Sequence, residues 1–137
     1  MDTPVKLSLG SGYRRQEGYI HVDADPLCNP DVIHDLEKPL PFPDDYADEI
    51  VLCHVLEHLG QDTKTYLSIW RELYRVLKPK GRLFIWVPHH LHAAFHNDPT
   101  HCRKVTLVGL ALFDQALNRR NIETGNAATT LGLQNGI

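Results

Sequence analysis

The sequence has no long hydrophobic run and few cysteines. Its longest uninterrupted apolar stretch is Leu83–Val87, far short of the roughly 20 residues that a membrane span needs. Met1–Pro4 lacks the basic-then-apolar pattern of a secretion signal. The three cysteines form no CxxC pair and are odd in number, which argues against a disulfide framework and for a reducing compartment. We therefore expect a cytoplasmic protein without a membrane segment.

An excess of charge of one sign, internal repeats and low-complexity tracts are also absent. The net charge is -3 and the Lys and Arg residues are spread along the chain, so no specific nucleic-acid partner is indicated. A chain of 137 residues with 42% hydrophobic content is long enough for one domain with a filled core. Histidine is unusually abundant, because five of the nine histidines lie between His89 and His101.

Short apolar runs that end at glycine or a polar residue predict strands in the first two thirds of the chain. They are Val5–Leu9, Tyr19–Val22, Asp31–His34, Glu49–Cys53 and Arg82–Val87. Apolar residues at three- and four-residue spacing predict a helix between the last two strands, beginning at Asp62 or Thr63 and ended by Pro79 and Gly81. A second helix is predicted from about Thr106 to Asn118.

Strands that alternate with helices predict an α/β fold with a Rossmann-like, doubly wound and mostly parallel sheet. Only nine residues, Gly10–Gly18, separate the first two strands, whereas a parallel crossover usually needs a dozen or more. The first crossover helix must therefore be reduced to a turn or lost. We expect the domain to comprise residues 1–118, with residues 119–137 as a loose tail, because that segment has few large apolar side chains.

The residues at the strand ends predict the ligand, since open α/β sheets bind ligands beyond the carboxyl ends of their strands. Gly10 and Gly12 follow the first strand and let the backbone approach a ligand closely. Asp23 follows the second strand and can accept hydrogen bonds from both ribose hydroxyls, and Asp35 follows the third and can accept from an adenine amino group. The Gly-Ser-Gly triplet alone fits a plain tight turn equally well, but the ordered combination favours an adenosine ligand.

A dinucleotide is the first alternative ligand. Its fingerprint needs GxGxxG leading into a helix, with an acidic residue about 20 positions later. Arg15 replaces the third glycine, Asp23 comes too early, and no room remains for a helix whose N-terminus would hold phosphate. S-adenosylmethionine (SAM) carries no phosphate and does not need that helix, so the comparison favours SAM.

Several motifs, in order, resemble those of class I SAM-dependent methyltransferases, most closely the small bacterial, methyltransferase type 11-like branch. They are Leu7–Gly12, His21–Asp25, Asp35–Leu36 with Pro39–Asp44, Asp48–Leu59 and Glu72–Leu83. The resemblance implies that SAM is the cofactor and that a methyl group passes to an acceptor that the sequence does not identify. It further implies that Gly10 and Gly12 line the methionine moiety, Asp23 holds the ribose, Asp35 and Leu36 flank the adenine, and Cys53 and His54 lie near the sulfonium.

The chain also departs from the family pattern at its C-terminal side. The family sheet carries a further antiparallel hairpin after the fifth strand, and this sequence shows no signal for it. We therefore expect a minimal version of the fold without that hairpin. Because an uncovered sheet edge invites pairing with another chain, a homodimer is expected.

The histidines admit several interpretations. His54, Glu57 and His58 match H-x-x-E-H, an inverted zinc-protease pattern, but the motif directly follows a strand and meets Gly60 at once. An incidental metal, or a cofactor pocket closed by His54, fits it as well. The segment from His89 to His101 either lines the acceptor site, binds a metal or forms a polar surface loop. We predict His89 and His101 as catalytic bases, because an unperturbed imidazole titrates near neutral pH, and we assign no metal ligand.

Two rival functions belong to other classes. A non-catalytic SAM- or nucleotide-binding module is favoured by the missing terminal hairpin. A metal-dependent hydrolase is favoured by the histidines alone. Release of S-adenosylhomocysteine in a methyl-transfer assay separates the enzyme from the module, and metal content tests the hydrolase.

Overall fold

A computed structural model describes residues 3–126 of the protein and contains a single five-stranded sheet. The strands are β1 (Lys6–Leu9), β2 (Ile20–Asp23), β3 (Val32–Ile33), β4 (Ala47–Cys53) and β5 (Leu77–Trp86). All neighbouring strands run parallel, in the order β3-β2-β1-β4-β5. The predicted α/β, doubly wound and mostly parallel fold is confirmed. No strand follows β5 within the described residues.

Within residues 3–126, four helices and two 3-10 turns connect or follow the strands. The helices are α1 (Thr63–Val76), α2 (Ala93–His96), α3 (Leu107–Ala111) and α4 (Gln115–Glu123), and the turns are Pro26–Cys28 and Leu56–His58. Helix α1 begins as predicted, because the Asp62 carboxylate accepts a hydrogen bond from the Thr65 N–H at 2.9 Å. Between residues 3 and 126, every helix is too short or too polar to cross a bilayer.

The hydrophobic core lies between the sheet and α1. Alternate residues of a strand point to the same face, so the central strands β1 and β4 send buried leucines and isoleucine toward the helix. Buried apolar residues of α1, at three- and four-residue spacing, pack against these strand residues. The core side chains of these three elements are Leu7, Leu9, Ile50, Leu52, Ile69, Trp70, Leu73 and Val76.

The crossover from β1 to β2 contains turns and no helix, as its length predicts: none of residues 10–19 is helical. The Gly10 N–H donates to the Val22 carbonyl at 2.7 Å, and the Gln16 N–H donates to His21 Nε2 at 2.8 Å. The crossover is therefore fastened directly to β2. Because β1 lies between β2 and β4, the strand order reverses there, and the segments that follow β1 and β4 are neighbours at the carboxyl edge.

Strand β5 begins five residues earlier than predicted. Leu77 already pairs with Ala47, and the Tyr46 N–H donates to the Val76 carbonyl at 2.8 Å. Pro79 and Gly81 thus lie inside the strand, next to a register irregularity between β4 and β5, and the helix has ended before them. The sequence pattern missed this because Pro79 and Gly81 usually interrupt a strand.

The second predicted helix, Thr106–Asn118, is two helices. Thr106 does begin α3, since its hydroxyl accepts from the Gly109 N–H at 3.0 Å. The helical conformation is then interrupted before Asp114, whose carboxylate accepts hydrogen bonds from two N–H groups of the first turn of α4. The neighbouring Phe113 ring stacks on Trp70, with ring centroids 4.5 Å apart. Helix α4 continues past the boundary predicted at residue 118. That boundary stays a prediction, and residues 127–137 of the predicted tail lie outside the described residues.

Arg75 of α1 holds the loop between β3 and β4 against the helix. Its guanidinium donates to both carboxylate oxygens of Glu72 at 2.8 and 2.7 Å, to the Phe42 and Leu40 carbonyls, and to Asp44. The Glu72 carboxylate also accepts from the Leu40 N–H at 2.6 Å. Hydrogen bonds from Arg75 hold the pKa of Glu72 below its usual range. This contribution to stability is therefore complete above the ordinary glutamate pKa and is lost as the pH falls through the lowered value.

We expect Arg75→Ala to lower the free energy of unfolding by about 2–3 kcal/mol, because it removes the guanidinium that donates to two loop carbonyls and to the carboxylates of Glu72 and Asp44. Urea denaturation at neutral pH measures the change. Arg71→Ala is the matched control on the same helix; Arg71 is exposed, and its removal should change stability by about 0.5 kcal/mol or less. Equal effects of the two substitutions would contradict the role given to Arg75.

Candidate functional site

The turn after β1 accepts only glycine at its first position. Gly10 has φ +66°, a left-handed conformation that side chains disfavour. A Cβ there would lie 2.6 Å from Cγ2 of Val55. The turn is thus pressed against the segment that follows β4. The structure brings together the chain after β1 and the chain after β4, as the sequence predicted for the carboxyl edge.

Asp23 is fixed beside this turn by backbone donors. One carboxylate oxygen accepts from the Gly12 N–H at 2.8 Å and the other from the Asp25 N–H at 2.9 Å. Each oxygen keeps a second lone pair. The space next to Gly12 is open, since a Cβ there would meet no atom within 4 Å. Gly12 and Asp23 are therefore in direct contact and face free space.

Asp35 and Leu36 lie one strand further along the same edge. The His34 N–H donates to the Asp23 carbonyl at 2.9 Å, which ties the end of β3 to the end of β2. The Asp35 side chain is exposed and accepts from the Glu37 N–H at 2.9 Å. The Leu36 side chain instead belongs to the hydrophobic core, with 8% of its surface exposed. Only Asp35 of this pair presents its side chain to solvent.

A cleft of about 390 Å³ opens at the carboxyl edge. It contains three of the predicted cofactor residues, Gly10, Cys53 and His54, whereas Gly12, Asp23, Asp35 and Leu36 are outside its lining. Further lining residues come from β1, β4, β5 and the first crossover: Ser8, Ser11, Arg14, Gln16, Val51 and Trp86. The hydroxyl oxygen of Ser11 is buried and has no hydrogen-bond partner. A polar ligand group in the cleft would supply the missing partner.

The neighbouring arginines of the first crossover have different surroundings. Arg14 lines the cleft and its guanidinium lies 3.5 Å from Cys53 Sγ. Arg15 points away and pairs with Asp31 at 2.8 Å. The Asp31 carboxylate also accepts from the His21 N–H, and this bond, followed by the bond from Arg15, lowers the pKa of Asp31 to about 2. Of these two arginines, Arg14 is the one that offers a cation to the cleft.

Sequence reasoning gave no separate role to Ser11, Gln16 or Trp86. Gln16 and Ser11 reach the cleft because the first crossover folds back on β2, and no spacing rule predicts that path. Trp86 carried a signal that was not used: it is the last residue of β5, at the same edge as Gly10 and Cys53. About half of its surface is exposed.

The two predicted catalytic histidines lie in different environments. His89 is exposed, its Nδ1 accepts from the Leu91 N–H at 3.3 Å, and its ring stacks on His90. The His101 side chain is 8% exposed, with Nδ1 2.8 Å from the Phe95 carbonyl. The structure does not bring the two rings into contact, and neither is among the residues that line the cleft. Their assignment as bases stays a prediction.

Solved structures share this fold. A SAM dependent methyltransferase from Archaeoglobus fulgidus gives a TM-score of 0.65 at 24% identity, over 78% of this chain and 57% of that chain. The YcgJ protein from Bacillus subtilis gives 0.59 at 24% identity, over 86% and 61%. A chain of the complex containing the Haloferax volcanii Trm112 methyltransferase activator gives 0.61 at 18% identity, over 80% and 58%. The protein thus spans about three fifths of the length of these structures.

Comparison of sequences gives the family. No curated protein matches the chain. The family described as a methyltransferase domain matches residues 17–85, half of the chain. This range begins near the end of the first crossover and ends one residue before the end of β5. This range includes five of the predicted site residues: Asp23, Asp35, Leu36, Cys53 and His54. The chain belongs to the methyltransferase domain family.

Proposed function

We propose that the protein binds SAM at the carboxyl edge of its sheet and transfers the methyl group to an acceptor. The observation that carries this proposal is the juxtaposition of the Asp23 carboxylate, the Gly10 turn and the cleft containing Cys53 and His54. A carboxylate beside a glycine turn, at the point where strand order reverses, suits a ribose next to a backbone that must come close. Family membership supports the same conclusion.

The residues present fit the chemical groups of SAM. The free lone pairs of Asp23 can accept from the two ribose hydroxyls, and exposed Asp35 can accept from the adenine amino group. Arg14 offers a cation to the methionine carboxylate, and the buried Ser11 hydroxyl lacks a partner that a polar group could provide. The cleft of about 390 Å³ is within the range of small-molecule sites. Leu36 would contribute its backbone rather than its buried side chain.

The reaction that follows needs little from the protein beyond placement. When bound, SAM supplies a methyl group that its positive sulfur already activates. The residues of the edge would hold the acceptor nucleophile in line with that methyl group and exclude water. This positioning of the two reacting groups is the main source of the rate acceleration in such a site. Trp86 and Val51 give the cleft an apolar wall for this purpose. His89 and His101 remain candidate bases for an acceptor that must lose a proton.

A non-catalytic binding module is the second candidate. It is favoured by the absence of a strand beyond β5 among residues 3–126. Within the described part of the chain, strand β5 has a neighbour on one side only, so a second copy or another chain can complete the sheet there. The homodimer predicted from the sequence is kept on this ground, and the mass of the chain in solution decides it.

We expect Asp23→Ala to weaken SAM binding about 100-fold, because it removes charge-assisted hydrogen bonds to both ribose hydroxyls. Isothermal titration with SAM measures the affinity, and circular dichroism checks that the domain stays folded. Glu17→Ala removes an exposed carboxylate from the same crossover and should leave the affinity unchanged. Unchanged binding by the Asp23 variant would refute the pocket.

Arg14→Gln and Arg15→Gln form a second matched pair. We expect the first to weaken SAM binding about fivefold, as is typical of an exposed ion pair, and the second to leave it unchanged because Arg15 pairs with Asp31. The same titration measures both variants. The opposite order of effects would show that the methionine carboxylate lies elsewhere.

Turnover separates the enzyme from the binding module. Incubation of the full chain with SAM and pooled acceptors of several chemical classes should release S-adenosylhomocysteine above the rate seen without acceptor. The Asp23→Ala variant should lose this release. Tight SAM binding with no release from any pool would favour the module.

A further inference from the structure

Glu57 is a buried carboxylate whose charge nothing balances within hydrogen-bond distance. Its side chain is 1% exposed, and both of its oxygens are buried without a hydrogen-bond partner. The nearest basic atom is Nδ1 of His54, which lies 3.5 Å from Oε1. A buried charge without partners costs several kcal/mol, so this position calls for a cation.

The same protein satisfies its other buried glutamate completely. Glu49 is 6% exposed, and its oxygens accept from the Tyr19 hydroxyl and from the Arg82 guanidinium at 3.1 Å. The hydrogen bond to Glu49 raises the pKa of Tyr19 to about 12. The Glu57 carboxylate oxygens accept no hydrogen bond from any side chain or backbone group of the described residues. This contrast makes Glu57 a candidate ligand-binding group.

Two histidines lie next to Glu57 and come from distant parts of the chain. His58 follows it directly, and His101 comes from the segment after β5. One potential ligand atom from each of the three side chains lies within 4.8 Å of the other two. The imidazole rings of His58 and His101 are 4.6 Å apart and nearly perpendicular. We call Glu57, His58 and His101 the edge triad.

Hydrogen bonds fix the same tautomer for both imidazoles. Nδ1 of His101 faces the Phe95 carbonyl at 2.8 Å, which accepts only, so Nδ1 carries the proton. Nδ1 of His58 lies 2.9 Å from the Thr100 hydroxyl, and that hydroxyl already donates to Asp98 at 2.6 Å. The hydroxyl must therefore accept from His58. In each neutral ring, Nε2 is then the nitrogen with a free lone pair, the form in which histidine binds metals.

The backbone holds the triad in place. The Glu57 carbonyl accepts from the Cys102 and Arg103 N–H groups at 2.9 and 3.1 Å, so the residue after His101 is tied to Glu57 itself. The Arg103 guanidinium then donates to the Gly60 carbonyl. Asp98 adds a further negative charge, because its Oδ2 lies 3.6 Å from Nε2 of His101. The Asp98 carboxylate favours a cation at the triad.

We propose that Glu57, His58 and His101 bind one divalent transition-metal ion of the zinc type. Two imidazole nitrogens and one carboxylate oxygen are the ligand set of zinc sites that keep a fourth position open for water or substrate. Imidazole also disfavours magnesium and calcium, which prefer oxygen ligands. The proposal does not depend on SAM binding, since the triad shares no residue with the proposed SAM pocket. It does remove His101 from the candidate bases, because both of its ring nitrogens would be occupied, and leaves His89.

Cobalt is the probe, because tetrahedral Co²⁺ absorbs visible light and zinc does not. The full chain, stripped with a chelator, is titrated with CoCl₂ at neutral pH. We expect one Co²⁺ per chain, with the visible bands of a four-coordinate ion, and displacement by Zn²⁺. Thr100→Val removes the acceptor that orients His58 and should weaken binding about 10- to 100-fold. Glu57→Gln and His101→Gln each remove a ligand and should weaken binding further.

His96→Gln is the matched control, because His96 is an exposed histidine of the same segment outside the triad. It should bind Co²⁺ like the unaltered chain. Circular dichroism checks the fold, and if Glu57→Gln unfolds, the Thr100 and His101 variants still decide. No Co²⁺ binding, or equal loss in the His96 variant, would overturn the proposal. Either result is independent of the SAM titration.

Discussion

The short crossover between the first two strands depends on a few backbone hydrogen bonds at its start. A parallel connection normally packs a helix on the sheet, and that helix supplies the hydrophobic contacts that hold the loop ahead of it. This crossover has no helix. The hydrogen bonds from the Gly10 N–H to the Val22 carbonyl and from the Gly12 N–H to the Asp23 carboxylate hold the loop in place instead. They bring Asp23 to the glycine turn and leave room beside Gly12. The same contacts that close the fold therefore shape the proposed adenosine site.

The sequence was sufficient to predict the parallel sheet, and it predicted which residues lie at the carboxyl edge. Strand ends are marked by residue types that stop a strand, and parallel strands bring all those ends together. Asp23 and Gly10 were predictable for this reason, although 13 positions separate them. Strand β5 was misplaced because Pro79 and Gly81 signal a break that pairing with β4 overrides. The break at Asp114 was missed because an amphipathic pattern can continue across two helices when one aspartate caps the second.

The sequence pattern could not predict the direction in which loop side chains point. Arg14 and Arg15 are adjacent and chemically alike, and only the path of the loop sends one to the cleft and the other to Asp31. Leu36 follows the predicted adenine ligand Asp35, yet its side chain fills the core. The edge triad was out of reach for a different reason: Glu57 and His101 are far apart in sequence, and the hydrogen bonds that align them are made by the backbone. The sequence showed that histidines are abundant, but only the fold shows which of them lie close together.

The 3-10 turn Leu56–His58 explains how one short segment serves both the cleft and the triad. Leu56 is fully buried in the core, which anchors the turn and fixes the directions of its neighbours. His54, before the turn, has φ +55° and lines the cleft. Glu57 and His58, beyond Leu56, face His101 instead. Because His54 Nδ1 lies 3.5 Å from Glu57, the two sites are one side chain apart. An ion at the triad would thus act on the wall of the cleft through His54, which is one of the predicted cofactor residues.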